Sequence, residues 1–184
     1  MRTREPGGTE VGVEVREIVL HHRGDITPRA EALLYAADRA HHVATVVRPA
    51  LERGEVVIQD RYIDSSVAYQ GAGRVLDPEA VRGISDWATD GLTPDLTILL
   101  DIPPEEGLAR KAPDDVTRFE AEFDLAFHER VRDGFLALAA AEPGRFVVVD
   151  ARRPAIEVGQ VVAAAVDALV GSDEPNHAVA RTLQ

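Results

Sequence analysis

The sequence predicts an α/β domain built on a parallel sheet, and three observations carry that prediction. Val56-Val57-Ile58, Leu96 to Leu100 and Phe146 to Val149 are short, largely apolar runs, the pattern of strands buried on both faces of such a sheet. Each run gives way to an acid: Asp60, Asp101 or Asp150. Between them lie segments with helical spacing, and alternating strands and helices argue for parallel pairing. Three strands among about six helices is a lopsided inventory, so further sheet material is expected upstream, where the chain opens with no strand signal.

Taken in order, Pro6-Gly7-Gly8 reads as a turn and Thr9 as the cap of a helix carrying Val11, Val15, Ile18 and Val19. Thr27-Pro28 starts a second helix, which presents Leu33, Leu34, Ala37, Val43 and Val47 inward and runs to about Arg53. Pro49 is expected to kink it and Gly54 to close it. Asp77-Pro78 opens another helix, with Val81, Ile84 and Ala88 inward and Gly91 as its stop. A short helix follows Pro103-Pro104. A long one from about Glu120 carries Phe123, Phe127, Val131, Phe135 and Leu138, and Ala155 to Val170 forms the last. Residues 1–170 thus read as one domain. Residues 171–184 lack periodicity and read as a frayed tail.

The formal charge is −12, so the average field repels nucleic acid and anionic membrane surfaces. The chain has no cysteine, which excludes disulfides, thiol nucleophiles and cysteine-bound metal. No apolar run approaches the roughly 20 residues needed to span a bilayer, and the first residues do not form a signal peptide. A cytoplasmic enzyme or binding protein is the expectation. The histidines at 21, 22, 41, 42, 128 and 177 show no metal-ligand spacing.

The most informative stretch runs from Glu55 to Arg74. Ligands in open α/β sheets sit beyond the carboxyl ends of strands, which places Asp60-Arg61 at a crevice. Ser66, Tyr69 and Gln70 fall at i, i+3 and i+4, so on a helix they share one face. A hydroxyl, a phenol and an amide there suit a base or sugar edge, and the Arg61 guanidinium suits a phosphate. The same residues also fit a surface ion pair followed by a polar helix. Glu31, Tyr35 and Arg39, spaced by four, form a second mixed stripe, which by its residues alone reads first as a solvated ion-pair face with an amphipathic tyrosine.

Five segments in order resemble the thymidylate kinase family: TREPGGT (Thr3 to Thr9), EALLYAADR (Glu31 to Arg39), DRYIDSSVAYQGAGR (Asp60 to Arg74), PDLTILLD (Pro94 to Asp101) and VVVDA (Val147 to Ala151). The resemblance implies the P-loop NTPase-like fold of nucleoside monophosphate kinases. It implies transfer of the ATP γ-phosphoryl group to dTMP with Mg²⁺, giving dTDP for dTTP biosynthesis, and a homodimer packed through helices. Position by position, it implies that Tyr35 stacks on thymine and that Arg39 meets the base carbonyl and orients the monophosphate. Arg61 then holds the acceptor phosphate, and Asp60 sits in the metal and phosphate network, behind the groups that touch the metal. Ser66 and Gln70 read the pyrimidine edge, and Tyr69 crowds the sugar 2′ position. Glu5 and Pro6 line the acceptor pocket, with Arg74 nearby.

Two departures from the family pattern carry expectations of their own. The strand, G-x-x-x-x-G-K-S/T loop and helix that precede TREPGG in the family are not in these 184 residues. The expectation is an incomplete ATP site, doubtful turnover by this chain alone, and unpaired edges between the strands at 56–59 and 96–100. In the lid, Arg110 to Glu120, Thr117 stands where the family often has aspartate. Arg110 and Arg118, and less so Lys111, are candidates to close over the triphosphate, the other possibility being a solvated basic loop. The remaining functional alternatives are a kinase for another deoxynucleotide and a non-catalytic nucleotide-binding module.

Overall fold

The computed structural model describes residues 1–22, 24–112, 117, 119, 123–171 and 182–183. A parallel strand pair opens the fold. Arg2–Arg4 (β1) runs beside Val57–Asp60 (β2), with Arg2, Thr3 and Arg4 opposite Ile58, Gln59 and Asp60. The expectation that the chain opens without a strand is therefore corrected. β1 is three polar residues long, too short and too polar for its alternation to register as sequence pattern. Thr97–Asp101 (β3) and Phe146–Asp150 (β4) form a second parallel pair. Thr182–Leu183 (β5) pairs with β2 on the side away from β1, opposite Val57 and Ile58. The edge of β2 expected to be unpaired is thus met there, by backbone from the segment expected to fray.

The described strands fall into two sheets, ordered β1-β2-β5 and β3-β4. Ile58 and Leu100 are 47% and 52% exposed, as expected beside an open groove, and with Val148 at 47% they correct the expectation that all three strands are buried on both faces. A partly buried arginine clamp ties the β3-β4 pair to Asp64, in the helical turn that follows β2. Arg145, just before β4, donates to both Asp64 oxygens at 2.7 and 2.9 Å and to the Thr97 hydroxyl at 2.7 Å.

Glu10–His21 (α1) is capped as expected, the Thr9 hydroxyl accepting from the Gly12 N–H at 2.9 Å. Its buried face is Gly12, Val15 and Val19; Val11 and Ile18, expected inward, are exposed. Pro28–His42 (α2) differs more. Leu33 and Ala37 point outward, while Glu31, Asp38, Arg39 and His42 are buried. Hydrophobic periodicity misplaced this face because the interior that α2 meets is a polar site. Thr27 caps it by backbone geometry alone, with no side-chain bond.

A π-helical turn, Val43–Val47, leads into Arg48–Glu52 (α3), where Pro49 falls in the first turn and its missing N–H costs least. After β2 come Ile63–Ser66 (α4) and a second π-helical turn, Val67–Gly73. Pro78–Thr89 (α5) is capped by Asp77 and stops at Asp90 and Gly91, both at positive φ. Pro104–Ala109 (α6) follows β3. Leu125–Ala141 (α7) starts at its Asp124 cap, so Phe123 precedes it; residue 120, the expected start, lies outside the described residues. Ala155–Gly171 (α8) closes the domain.

One core cluster, including Val43, Val47, Val57, Tyr62 and Val81, packs beneath β2. A second gathers Ala68, Phe119, Phe127 and Val131 with Tyr35 and Tyr69 at its margin. Gly73 lets the second π turn press on α7, since a Cβ there would lie 2.7 Å from the Phe127 ring and 2.8 Å from Val131. No helix among the described residues is long and apolar enough to cross a membrane.

Candidate functional site

The site begins where β2 ends. Arg61 adopts φ +66°, the left-handed region, which costs a non-glycine residue about 1–2 kcal/mol. That turn lays its guanidinium over the Tyr69 ring, 4.9 Å from the centroid, with Nη2 donating to the Tyr69 hydroxyl at 3.4 Å. The π turn after α4 carries Tyr69 and Gln70 to the same place, and π turns recur at functional sites because they re-aim side chains.

One cavity is lined by Glu5, Pro6, Tyr35, Arg61, Ser66, Tyr69 and Gln70, seven of the residues singled out from sequence. Four others stand elsewhere. Arg39 and Arg74 lie behind the wall. Asp60 borders a shallow depression with Arg2, Thr3, Arg4, Gly7 and Gly8. Arg110 is exposed and donates to the Ala151 carbonyl at 2.8 Å, beyond the end of β4. Arg118 lies outside the described residues. Sequence reasoning missed Arg16, which lines the cavity and donates to the Pro6 carbonyl at 3.0 Å; Lys111, weighed only for the lid, lines it too. The signal for Arg16 was the four-residue spacing of Gly12, Arg16 and Leu20, which an apolar template passes over.

Behind the wall runs a buried polar chain. Arg39 donates to Glu5 Oε2 at 2.9 Å, to the Ser66 hydroxyl at 3.1 Å, to Ser85 at 3.0 Å and to the Tyr62 carbonyl at 3.2 Å. His42 Nδ1 lies 2.8 Å from Glu5 Oε1, and its Nε2 lies 2.6 Å from the Thr3 hydroxyl. Facing a carboxylate, Nδ1 carries a proton, and Nε2 meets the Thr3 hydroxyl on the other side of the ring. His42, given no role from sequence, therefore joins β1 to α2. A second set fixes Gln70: its Nε2 donates to Glu31 Oε1 at 3.0 Å, and Arg74 reaches Glu31 Oε2 at 3.3 Å and the Ile26 carbonyl at 2.8 Å.

Asp38 sits beside these networks, and neither of its buried oxygens has a partner at full hydrogen-bond geometry. Burial, reinforced by the Glu5 charge, pushes its carboxyl up to about 6; the nearby Gly7 N–H, His42 and Arg39 only partly offset this. The folded chain therefore holds this proton more tightly than the unfolded one. The resulting stability is complete below the ordinary value of 3.8 and is lost as pH rises through about 6. Asp38→Asn should lack that pH dependence. Its urea midpoint should gain on the parent's across this window and hold a constant lead above it. Parallel curves through the window would contradict the assignment.

Two of the three strand-end acids are already engaged. Asp101 accepts from Arg132 at 2.7 and 2.8 Å, and Asp150 accepts from Arg152 at 2.9 Å through both oxygens. Among the described residues no group of three or more His, Asp or Glu side chains could hold a metal ion.

The parallel strands, with an arginine-bearing cavity beyond the end of one of them, have the form of an α/β protein that takes an anionic ligand in the crevice at its strand ends. Comparison with known proteins makes this specific. The thymidylate kinase family model matches residues 1–162. A thymidylate kinase from Leifsonia xyli is 66% identical over 172 residues, covering 92% of this chain and 81% of that protein. One from Deinococcus radiodurans is 56% identical over 168 residues, covering 89% and 80%. The crystal structure of thymidylate kinase from Ehrlichia chaffeensis superposes with a TM-score of 0.71 at 30% identity, covering 91% of this chain and 79% of that one. The chain belongs to the thymidylate kinase family.

Proposed function

We propose that this chain binds dTMP in the cavity and provides the acceptor side of phosphoryl transfer from ATP, the product being dTDP. The observation that carries the reading is that Tyr35, Arg61, Ser66, Tyr69 and Gln70, drawn from two separate motifs, line one hollow. Tyr35 offers a face on which a neutral base stacks. Ser66 and Gln70 meet the pyrimidine edge, with Ser66 held by Arg39 from behind. Tyr69 stands where a ribose 2′-hydroxyl would crowd it, which favours a deoxyribose. Arg61, with Arg16 and Lys111 beside it, faces the phosphate.

Phosphoryl transfer asks the protein mainly to hold two phosphates in line and to balance charge on the equatorial oxygens. Arginines that keep their protons at all working pH values suit that task. When bound, ATP supplies the phosphoryl group and Mg²⁺ shields its charge. Mg²⁺ takes few protein ligands and keeps water and phosphate oxygens, so a lone Asp60 carboxylate at the end of β2 fits a supporting position. These 184 residues contain no G-x-x-x-x-G-K-S/T run, so the roles assigned to them lie on the acceptor side. Val11, Val13, Ile18 and Leu33, left exposed on α1 and α2, favour a helix-packed homodimer.

Calorimetric titration tests the reading. dTMP should bind with a one-to-one stoichiometry, and an ATP analogue should bind this chain far more weakly. Preference for dGMP, or tight binding of the analogue with none of dTMP, would overturn it.

A further inference from the structure

Behind the cavity wall lies a carboxylate whose bonds do more than fill space. Glu31 is fully buried on α2, does not line the cavity, and has one oxygen on Gln70 and the other on Arg74. Arg74 is itself anchored on the Ile26 carbonyl and over the Phe123 ring, 4.8 Å from its centroid, so it holds the charge of Glu31 in place. A carboxylate with this partner accepts hydrogen bonds and donates none. The Gln70 amide can therefore present only its nitrogen to Glu31. The reverse orientation would set Oε1 against carboxylate lone pairs in a buried place, an unmade bond that proteins avoid. With nitrogen committed to Glu31, Oε1 is the amide atom left to a ligand, as an acceptor.

We infer that Glu31 acts as a positioning residue that selects the pyrimidine, by locking the Gln70 amide so that it meets a ring N3–H. Thymine and uracil carry that hydrogen. Cytosine has a lone pair at the same ring position and meets Oε1 lone pair to lone pair. The inference rests on the proposed dTMP site and adds to it the group that decides which bases are admitted. Arg74 thereby acquires a role at one remove from the ligand: it holds Glu31 in register.

The experiment measures dissociation constants for dTMP, dUMP and dCMP with the parent chain, Glu31→Gln and Gln70→Met. The parent should bind both N3–H nucleotides roughly tenfold or more tighter than dCMP, the scale of a mispaired buried hydrogen bond. Gln at position 31 can donate as well as accept, so the Gln70 amide is free to turn. The dTMP-to-dCMP and dUMP-to-dCMP ratios should then fall to roughly threefold or less. The dTMP-to-dUMP ratio, which reports only the 5-methyl group, should not move. Gln70→Met leaves the Glu31–Arg74 pair intact and should collapse the same two ratios even if Glu31→Gln folds poorly. If either variant weakens all three nucleotides equally and keeps the parent ratios, Glu31 is only structural and the inference is overturned. A parent that binds none of the three removes the dTMP site itself; one that binds dTMP with variant ratios unchanged removes only the role of Glu31.

Discussion

Arg39→Met should destabilise the fold by about 3–5 kcal/mol, the cost of stranding one member of a buried ion pair. Arg39 is 2% exposed, as is the Glu5 side chain it bonds, so water cannot replace the lost partner. The substitution also removes donors from Ser66, Ser85 and the Tyr62 carbonyl, which together join α2, α4 and α5. Urea unfolding should show the midpoint falling with little change in slope. A double variant, Arg39→Met with Glu5→Gln, should recover a large part of the loss, because the uncompensated charge is gone. A single variant no weaker than one at exposed Arg53 would show that the chain behind the wall contributes nothing.

Arg61→Met should weaken dTMP binding roughly a hundredfold, the worth of charge-assisted bonds to a phosphate. Thymidine, which has the base and sugar without the phosphate, should lose little. The paired titration separates contact with the phosphate from general damage to the hollow. Equal losses for dTMP and thymidine would place the phosphate elsewhere, with Arg16 and Lys111 the next candidates.

Much of this site was legible in the sequence because its motifs are dense and local. DRYIDSSVAYQG delivers Arg61, Ser66, Tyr69 and Gln70 within ten residues, and whatever helical geometry follows β2 keeps them together. The positions of the three apolar strands were legible for the same reason, each being a contiguous run, but their burial on both faces was misjudged, since Ile58, Leu100 and Val148 stay half exposed. What escaped was polar and distant. β1 exists because Arg2, Thr3 and Arg4 find partners on Ile58 to Asp60, more than fifty residues away, and no local pattern announces that pairing. The inward face of α2 was misread because Leu33 and Ala37 look like core while Glu31, Asp38, Arg39 and His42 look like surface. For Glu31, Arg39 and His42 that assignment reverses because buried polar groups find each other, and their partners Glu5, Ser66, Gln70 and Arg74 come from two other segments. Arg110 was attractive as a cation in a lid motif, yet its guanidinium is engaged with the Ala151 carbonyl.

The backbone at Arg61 sets heat tolerance against ligand affinity. Glycine alone could take φ +66° without steric penalty, so a search for hardier variants would favour it at this position, and each such winner would discard the guanidinium. The residue proposed to grip the anion is thus held in a posture the chain would relinquish if thermal endurance were the only demand on it.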